Sequence, residues 1–199
     1  MELKDSQTFK NLAKSYAGEC QAHIRYKFIE YGARQQGYKT LAEMIDNLVY
    51  NEFNHARMFY TFIQQGSDVT IDNIDIDAGY PFKEKWDLVE NLRLAAEDEG
   101  LEENVIYPEY RKVAEQEGFF EIAKLYDDII QVESCHRKLL TDLYTQLSQG
   151  TLYKKQTKLK WKCADCGYEA VGYEPWEECP LCKAKQGSVM LHLSSEGSN

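Results

Sequence analysis

Two four-residue stretches, Glu52-Phe53-Asn54-His55 and Glu133-Ser134-Cys135-His136, both read Glu-x-x-His. Residues three apart share one face of a helix, so each stretch aims a carboxylate and an imidazole at the same point. Glu19, Glu99 and Glu102 add three more carboxylates from other parts of the chain. Mixed oxygen and nitrogen donors of this kind suit iron or manganese better than a thiolate-seeking metal. A second constellation lies near the C-terminus. Cys163-Ala-Asp-Cys166 and Cys179-Pro-Leu-Cys182 are two Cys-x-x-Cys turns with twelve residues between them. Four thiolates so placed can close a tetrahedron around zinc or a single iron, and spacing alone does not choose between the two.

Long helices must carry the first constellation. Apolar residues recur every three or four positions in four segments, about 5–36, 40–65, 82–117 and 119–149. The first three are followed by Gly37, Gly66 and Gly118, and the fourth by Gly150. A polar loop from Ser67 to Pro81 separates the second from the third, and Pro108 is predicted to bend the third. The expected inner stripes are Phe9, Leu12, Tyr16, Glu19, His23, Tyr26; Leu41, Ile45, Leu48, Glu52, His55, Phe59, Phe62; Leu88, Leu92, Ala95, Glu99, Glu102, Ile106; and Ile122, Tyr126, Ile129, Glu133, His136, Leu140, Leu143, Leu147. Each is apolar at its ends and acidic in the middle. Carboxylates stranded in an apolar core cost several kcal/mol each or take up protons. No Lys or Arg recurs at that level, so a pair of divalent metal ions is the expected counter-charge. One Glu from each of two helices plus Glu-x-x-His from the other two is the ligand set of ferritin-like di-iron bundles. Glu19 to Glu52 spans 33 positions and Glu99 to Glu133 spans 34, which suggests a duplicated helix pair.

The 199 residues are 43% hydrophobic and carry a net charge of −10. Residues 1–150 hold 16 basic and 27 acidic side chains, residues 151–199 seven and six. An acidic bundle repels phosphates and is a poor nucleic-acid binder. The polar start, MELKDSQTFK, has no apolar signal segment, and no apolar run is long enough to span a bilayer. A soluble, cytoplasmic protein is expected. Helical periodicity stops after Gly150, where a Lys-rich stretch begins. The expected architecture is mainly α, with a four-helix bundle over 1–150 and, over 151–199, a linker and a small four-cysteine β domain. About ten extended linker residues could reach roughly 33 Å.

Taken in order, AGECQAHIRY, NEFNHAR, EGLEENVIYPEY, VESCHRK and WKCADCGY…CPLC make the chain resemble the rubrerythrins over nearly its whole length. The resemblance implies a ferritin-like bundle followed by a rubredoxin-like domain. It implies di-iron ligands Glu19, Glu52, His55, Glu99, Glu102, Glu133 and His136, with one iron exchanging His55 for Glu102 on oxidation. Cys163, Cys166, Cys179 and Cys182 would hold a rubredoxin-type iron, with zinc as a possible substitute. The implied activity is reduction of hydrogen peroxide to water, as protection against oxidative stress. Electrons would come from NADH by way of a rubredoxin or a flavoprotein reductase and enter through the cysteine-bound iron. Tyr26, Tyr107 and Glu102 would manage protons near the reacting oxygens. A head-to-tail homodimer is the implied assembly.

Two other readings share these residues. An iron-oxidising or iron-storing ferritin relative would use the same bundle site, and a zinc-ribbon interaction module would use the same cysteines without catalysis. His23 is expected to pack or to support ligands. Cys20 and Cys135 are expected to point off the seams as ordinary thiols, and the Lys-rich linker to be a solvated connector.

Overall fold

The computed structural model describes residues 1–66 and 86–193. The predicted loop Ser67–Pro81 lies outside them. Helix α1 (Gln7–Gln35) starts where Ser6 accepts the Phe9 N–H on its side chain. Glu117 also caps it, accepting the Gln7 and Thr8 N–H groups at 3.0 and 2.8 Å. Gly37, in the left-handed region at φ 84°, turns the chain into α2 (Lys39–Gln65). Helix α3 (Leu88–Leu101) begins at Asp87, whose side chain accepts the Glu90 N–H. A helix reaching back to 82 was expected; residues 82–85 lie outside the described ones, and among those described the cap at Asp87 starts the helix at Leu88.

A π-helical turn, Glu102–Ile106, follows α3 directly and leads into α4 (Tyr107–Glu117). Pro108 stands in the first turn of α4 and has no N–H for the carbonyl four residues back. The wider π turn takes up the extra residue that this interruption leaves. The seam therefore moves by one position: Tyr107, not Ile106, is fully buried. Gly118 (φ 87°) reverses the chain into α5 (Phe120–Ser148).

Helix α1 packs on α2, and α3, the π turn and α4 pack on α5. Two apolar clusters result. One holds Ile29, Leu41, Ile45, Leu48, Leu92 and Leu140; the other holds Leu12, Phe59, Ile63, Tyr107, Tyr126 and Ile129. The charged mid-seam residues lie between them. On α1 the inner stripe differs from expectation. Tyr16 is exposed and His23 only partly buried, with His23 Nδ1 2.8 Å from the Val49 carbonyl. Ser15 and Ala22 occupy the seam instead, both buried. Leu12, Ser15, Glu19, Ala22 and Tyr26 keep the three-four spacing, so the stripe leans toward Ser15 and Ala22 while Phe9, Leu12, Glu19 and Tyr26 hold their places.

Strands β1 (Leu159–Lys162) and β2 (Glu169–Gly172) pair antiparallel, Trp161 opposite Ala170. Trp161 is fully buried and donates its indole N–H to the Gly172 carbonyl. The segment before β1 is not the solvated, extended connector expected from its lysines. Leu152 is buried with Leu191 and Leu193 against the bundle core, Tyr153 stacks on Tyr38, and Lys155 donates to Gln146 and to the His192 carbonyl. Thr40 at the start of α2 donates to the Gly187 and Val189 carbonyls. Apolar burial outweighs linker freedom here, and the cysteine domain sits on the α1–α2 end of its own bundle.

Candidate metal centres

Six of the predicted mid-seam ligands converge. Glu19, Glu52, His55 and Glu133 form one group, and Glu52, Glu99, Glu133 and His136 another; ligand atoms within each lie within 4.8 Å of one another. None of the six residues is more than 4% exposed. Glu52 and Glu133 belong to both groups. Glu133 sets one oxygen 2.9 Å from His55 Nδ1 and the other 2.8 Å from His136 Nδ1. Glu52 does the same at 3.1 and 3.0 Å. Glu19 lies 3.6 Å from His55, and Glu99 3.7 Å from His136. Two shared carboxylates, two terminal carboxylates and two imidazoles thus define two equivalent positions.

Tyrosines hold the terminal carboxylates in the same alternating way. Tyr107 donates to Glu19 and Tyr26 donates to Glu99. Asn51, one residue before Glu52, lies 3.1 Å from His136 Nε2 and leaves Nδ1 facing the carboxylates. Sequence reading missed Asn51, Ser15 and the Arg25–Asp98 ion pair beside Tyr26, because none carries a spacing signal of its own. Tyr26 and Tyr107 stand where they were expected. Cys20 and Cys135 lie off the seams, half-buried and exposed. Glu102 is the one predicted bundle ligand outside both groups. It is only partly buried, and its Oε1 faces Gly18 on α1.

The cluster is short of positive charge. Burial pushes the Glu19 and Glu99 carboxyls well up, helped by neighbouring Glu133. Burial opposes charge on the imidazoles too, but the carboxylates around them override it, so His55 is held far up and His136 at about 12. Even so, Glu19 Oε2, Glu52 Oε1, Glu99 Oε2, both oxygens of Glu133 and His136 Nδ1 are buried and, for all their short contacts, none makes a well-directed hydrogen bond. Orphaned buried acceptors are costly. Two divalent cations at the two positions would satisfy all of them.

The four cysteines form the second group. Cys163 and Cys182 sulfurs are 3.7 Å apart, Cys166 and Cys179 3.6 Å, with no disulfide. A tetrahedron with metal–sulfur bonds of about 2.3 Å has edges of about 3.8 Å, so the spacing fits one metal ion. Burial raises the Cys179 thiol, but the Cys182 and Leu181 N–H groups bring it down to about 7.

The rubrerythrin family model matches residues 10–144. The chain is 36% identical to a rubrerythrin of Clostridium perfringens, covering 90% of this chain and 91% of that one. It is 30% identical to a rubrerythrin of Nitratidesulfovibrio vulgaris over 90% and 91%. The chain belongs to the rubrerythrin family. A nigerythrin structure superposes with a TM-score of 0.61 at 23% identity, over 94% of this chain and 90% of that one. A bacterioferritin structure of Desulfovibrio desulfuricans, described by its diiron site, superposes with 0.63 at 20% identity, over 75% and 85%. Both show the ferritin-like fold. As in its family, the chain has a di-iron pair and one Cys-bound iron as cofactors, and the two clusters are built for them. It is a di-iron oxidoreductase of the oxidative-stress class.

Proposed function

We propose that the chain reduces hydrogen peroxide to water at the bundle cluster, with electrons relayed through the cysteine-bound iron. One observation carries this reading: two equivalent, buried carboxylate–imidazole positions share Glu52 and Glu133, while a separate four-thiolate site sits on the same chain. Held there, an iron pair would supply electrons to a small oxidant. Glu52 and Glu133 would bridge the pair, with Glu19 and His55 on one ion and Glu99 and His136 on the other. Tyr107 and Tyr26 hold protons beside Glu19 and Glu99, where product oxygens need them. Glu102 is the seventh ligand in this reading: burial, then neighbouring Glu19, Glu99 and Glu133, push its carboxyl well up, so a cation beside it would offset the crowded charge. The buried apolar clusters on both sides exclude bulk water.

Electrons enter at Cys163, Cys166, Cys179 and Cys182, delivered by a rubredoxin or flavoprotein reductase that draws on NADH. Thr40, which touches the cysteine domain, is twelve residues from Glu52 on α2, about 18 Å along the axis. A head-to-tail second copy would shorten that path. The outer face of α1 and α2 offers a surface for one, with Tyr16, Tyr50, Phe53 and Tyr60 all exposed. Among the described residues no helix is long and apolar enough to cross a membrane. We place the activity in the cytoplasm and the domain boundary near Gly150.

The deciding experiment is stopped-flow mixing of the anaerobically reduced, iron-loaded protein with hydrogen peroxide. Oxidation of the bundle pair followed by the cysteine-bound iron, with peroxide consumed, supports the reading. Reaction no faster than with dioxygen would favour ferroxidase chemistry instead.

A further inference from the structure

Tyr107 is the innermost ring of an aromatic series that runs from the metal cluster to solvent. Its hydroxyl donates to Glu19, and its ring centre lies 5.6 Å from that of Tyr126. Tyr126, fully buried, lies 5.9 Å edge-on from Tyr110, which is half-buried. Tyr107 and Tyr110 stand three residues apart on one face of α4, and Tyr126 of α5 packs on both. Phe59 fills the side, 5.8 Å from Tyr107 and 5.3 Å from Tyr126.

Aromatic contact by itself is ordinary core packing. The hydroxyls are what packing does not need, because a buried hydroxyl costs free energy unless it is bonded. Phe at 107 and 126 would fill nearly the same volume. The series also begins on a cluster carboxylate, Glu19, which accepts the Tyr107 hydroxyl and so stands ready to take its proton when the ring is oxidised. Tyr26 makes the contrast. Its hydroxyl also meets the cluster, but the Arg25 guanidinium lies 5.6 Å from its ring centre. A positive charge there disfavours removing an electron. No aromatic ring contacts Tyr26 among the described residues.

We propose that Tyr107, Tyr126 and Tyr110 form a second redox path, which supplies an electron from the surface when peroxide meets a cluster holding one electron too few. The path rests on the peroxide-reducing reading above. Reducing one hydrogen peroxide to two waters takes two electrons and two protons. The cluster gives its one electron, and Tyr107 gives the second while its phenolic proton shifts to Glu19. Tyr110 then refills Tyr107 across the Tyr126 ring, the proton on Glu19 returns to Tyr107, and Tyr110 releases its own proton to water. The two protons consumed in making the two waters come from solvent, and the one-electron deficit rests on Tyr110 as a neutral phenoxyl radical. A thiol or similar one-electron reductant in solution can quench it there. Tyr126 serves as the bridging ring, since among the described residues its hydroxyl meets Ser15 alone, a weak base, at 3.0 Å.

The test uses full-length, iron-loaded protein reduced by one electron per bundle pair and mixed with hydrogen peroxide and a nitroso spin trap. Electron paramagnetic resonance reads the radical, and peptide mass spectrometry locates the adduct. The path places the adduct at Tyr110, although Tyr50 is 66% exposed and more accessible. Tyr126→Phe keeps the ring and should keep the adduct at Tyr110; Tyr126→Leu should lose it. Should the Leu variant fail to fold, Tyr110→Phe serves: the radical should remain at Tyr107 with no surface adduct. Adducts that follow exposure, with Tyr50 ahead of Tyr110, or that survive loss of the bridging ring, would overturn the path. Wild-type protein that consumes peroxide without a tyrosyl radical sinks the path alone, whereas wild-type protein that consumes none sinks the peroxidase reading beneath it.

Discussion

Gly187 of the cysteine domain lies directly on the carbonyl of Gly37: a Cβ at position 187 would stand 1.6 Å from that oxygen. The contact joins the α1–α2 turn to the segment that carries the Thr40 hydrogen bonds. Gly187→Ala must push the two apart. Losing two hydrogen bonds of about 1 kcal/mol each should weaken docking by roughly 2 kcal/mol. The four-cysteine site is built from its own turns and should still take up metal. Hydrogen exchange at the start of α2 should rise in the variant, with the visible spectrum of the Cys-bound iron unchanged. Unaltered exchange would show that the close approach does not hold the domain.

Sharing of Glu52 and Glu133 between the two metal positions makes stoichiometry diagnostic. Glu133→Ala removes an oxygen from each position and should abolish binding of both ions. Glu99→Ala strips a terminal ligand from one position, so one ion should remain. Metal analysis of protein refolded with ferrous iron would read two, one or none per bundle, apart from the iron on the cysteines. Equal losses in both variants would contradict the bridging assignment. Neither change should prevent folding, since each removes a buried carboxyl that lacks a full set of partners.

Glu117 ties the end of α4 to the start of α1. Its carboxylate accepts two backbone N–H groups and the Thr8 hydroxyl. Burial is the largest single influence and raises its pKa, but the Thr8 hydroxyl and the Thr8 and Gln7 N–H donors together outweigh it and hold the carboxyl below its ordinary value. A folded-state pKa depressed in this way contributes stability above the unfolded value. That contribution is lost as pH falls through the folded value. Glu117→Ala should cost about 1 kcal/mol at neutral pH, as loss of an N-terminal cap does, and the gap from wild type should close in acid. Thermal melts of both proteins across the acidic range would check it; a gap independent of pH would assign the loss to packing.

The convergence of six mid-seam carboxylates and imidazoles was legible in the sequence, because a carboxylate on an apolar helical stripe is expensive and Glu-x-x-His puts both side chains on one helical face; Glu102, on the same stripe, falls outside both groups. The cysteine turns were legible from their spacing. What escaped had no periodic signature. The inner face of α1 takes Ser15 and Ala22 in place of Tyr16 and His23, since both pairs fit the same three-four rhythm and only the neighbouring helices decide between them. The π turn at Glu102–Ile106 escaped for a similar reason: Pro108 signals an interruption but not which carbonyls stretch to absorb it. The linker reads as polar by composition, yet Leu152 and Tyr153 find partners on the bundle that local sequence cannot show.

Cys179 separates the chemistry of the bundle from the supply of electrons. It is fully buried, faces Cys166 at 3.6 Å, and has the Cys182 and Leu181 N–H groups directed at its sulfur. Serine keeps the size but offers an oxygen with a far higher pKa and a shorter reach to metal, so Cys179→Ser should disable the four-cysteine site. The bundle ligands come from α1, α2, α3 and α5, with Glu52 and His55 farther along α2 than Thr40, and should be untouched. Reduced chemically and mixed with peroxide, the variant should oxidise its bundle pair once, at the wild-type rate. With a rubredoxin and a flavoprotein reductase supplying NADH electrons, it should fail to turn over. Sustained turnover would mean that donors reach the bundle directly and would remove the cysteine iron from the route. Loss of the single turnover as well would mean that the cysteine domain shapes the bundle site, a coupling that the Thr40 and Leu191 contacts could transmit along α2.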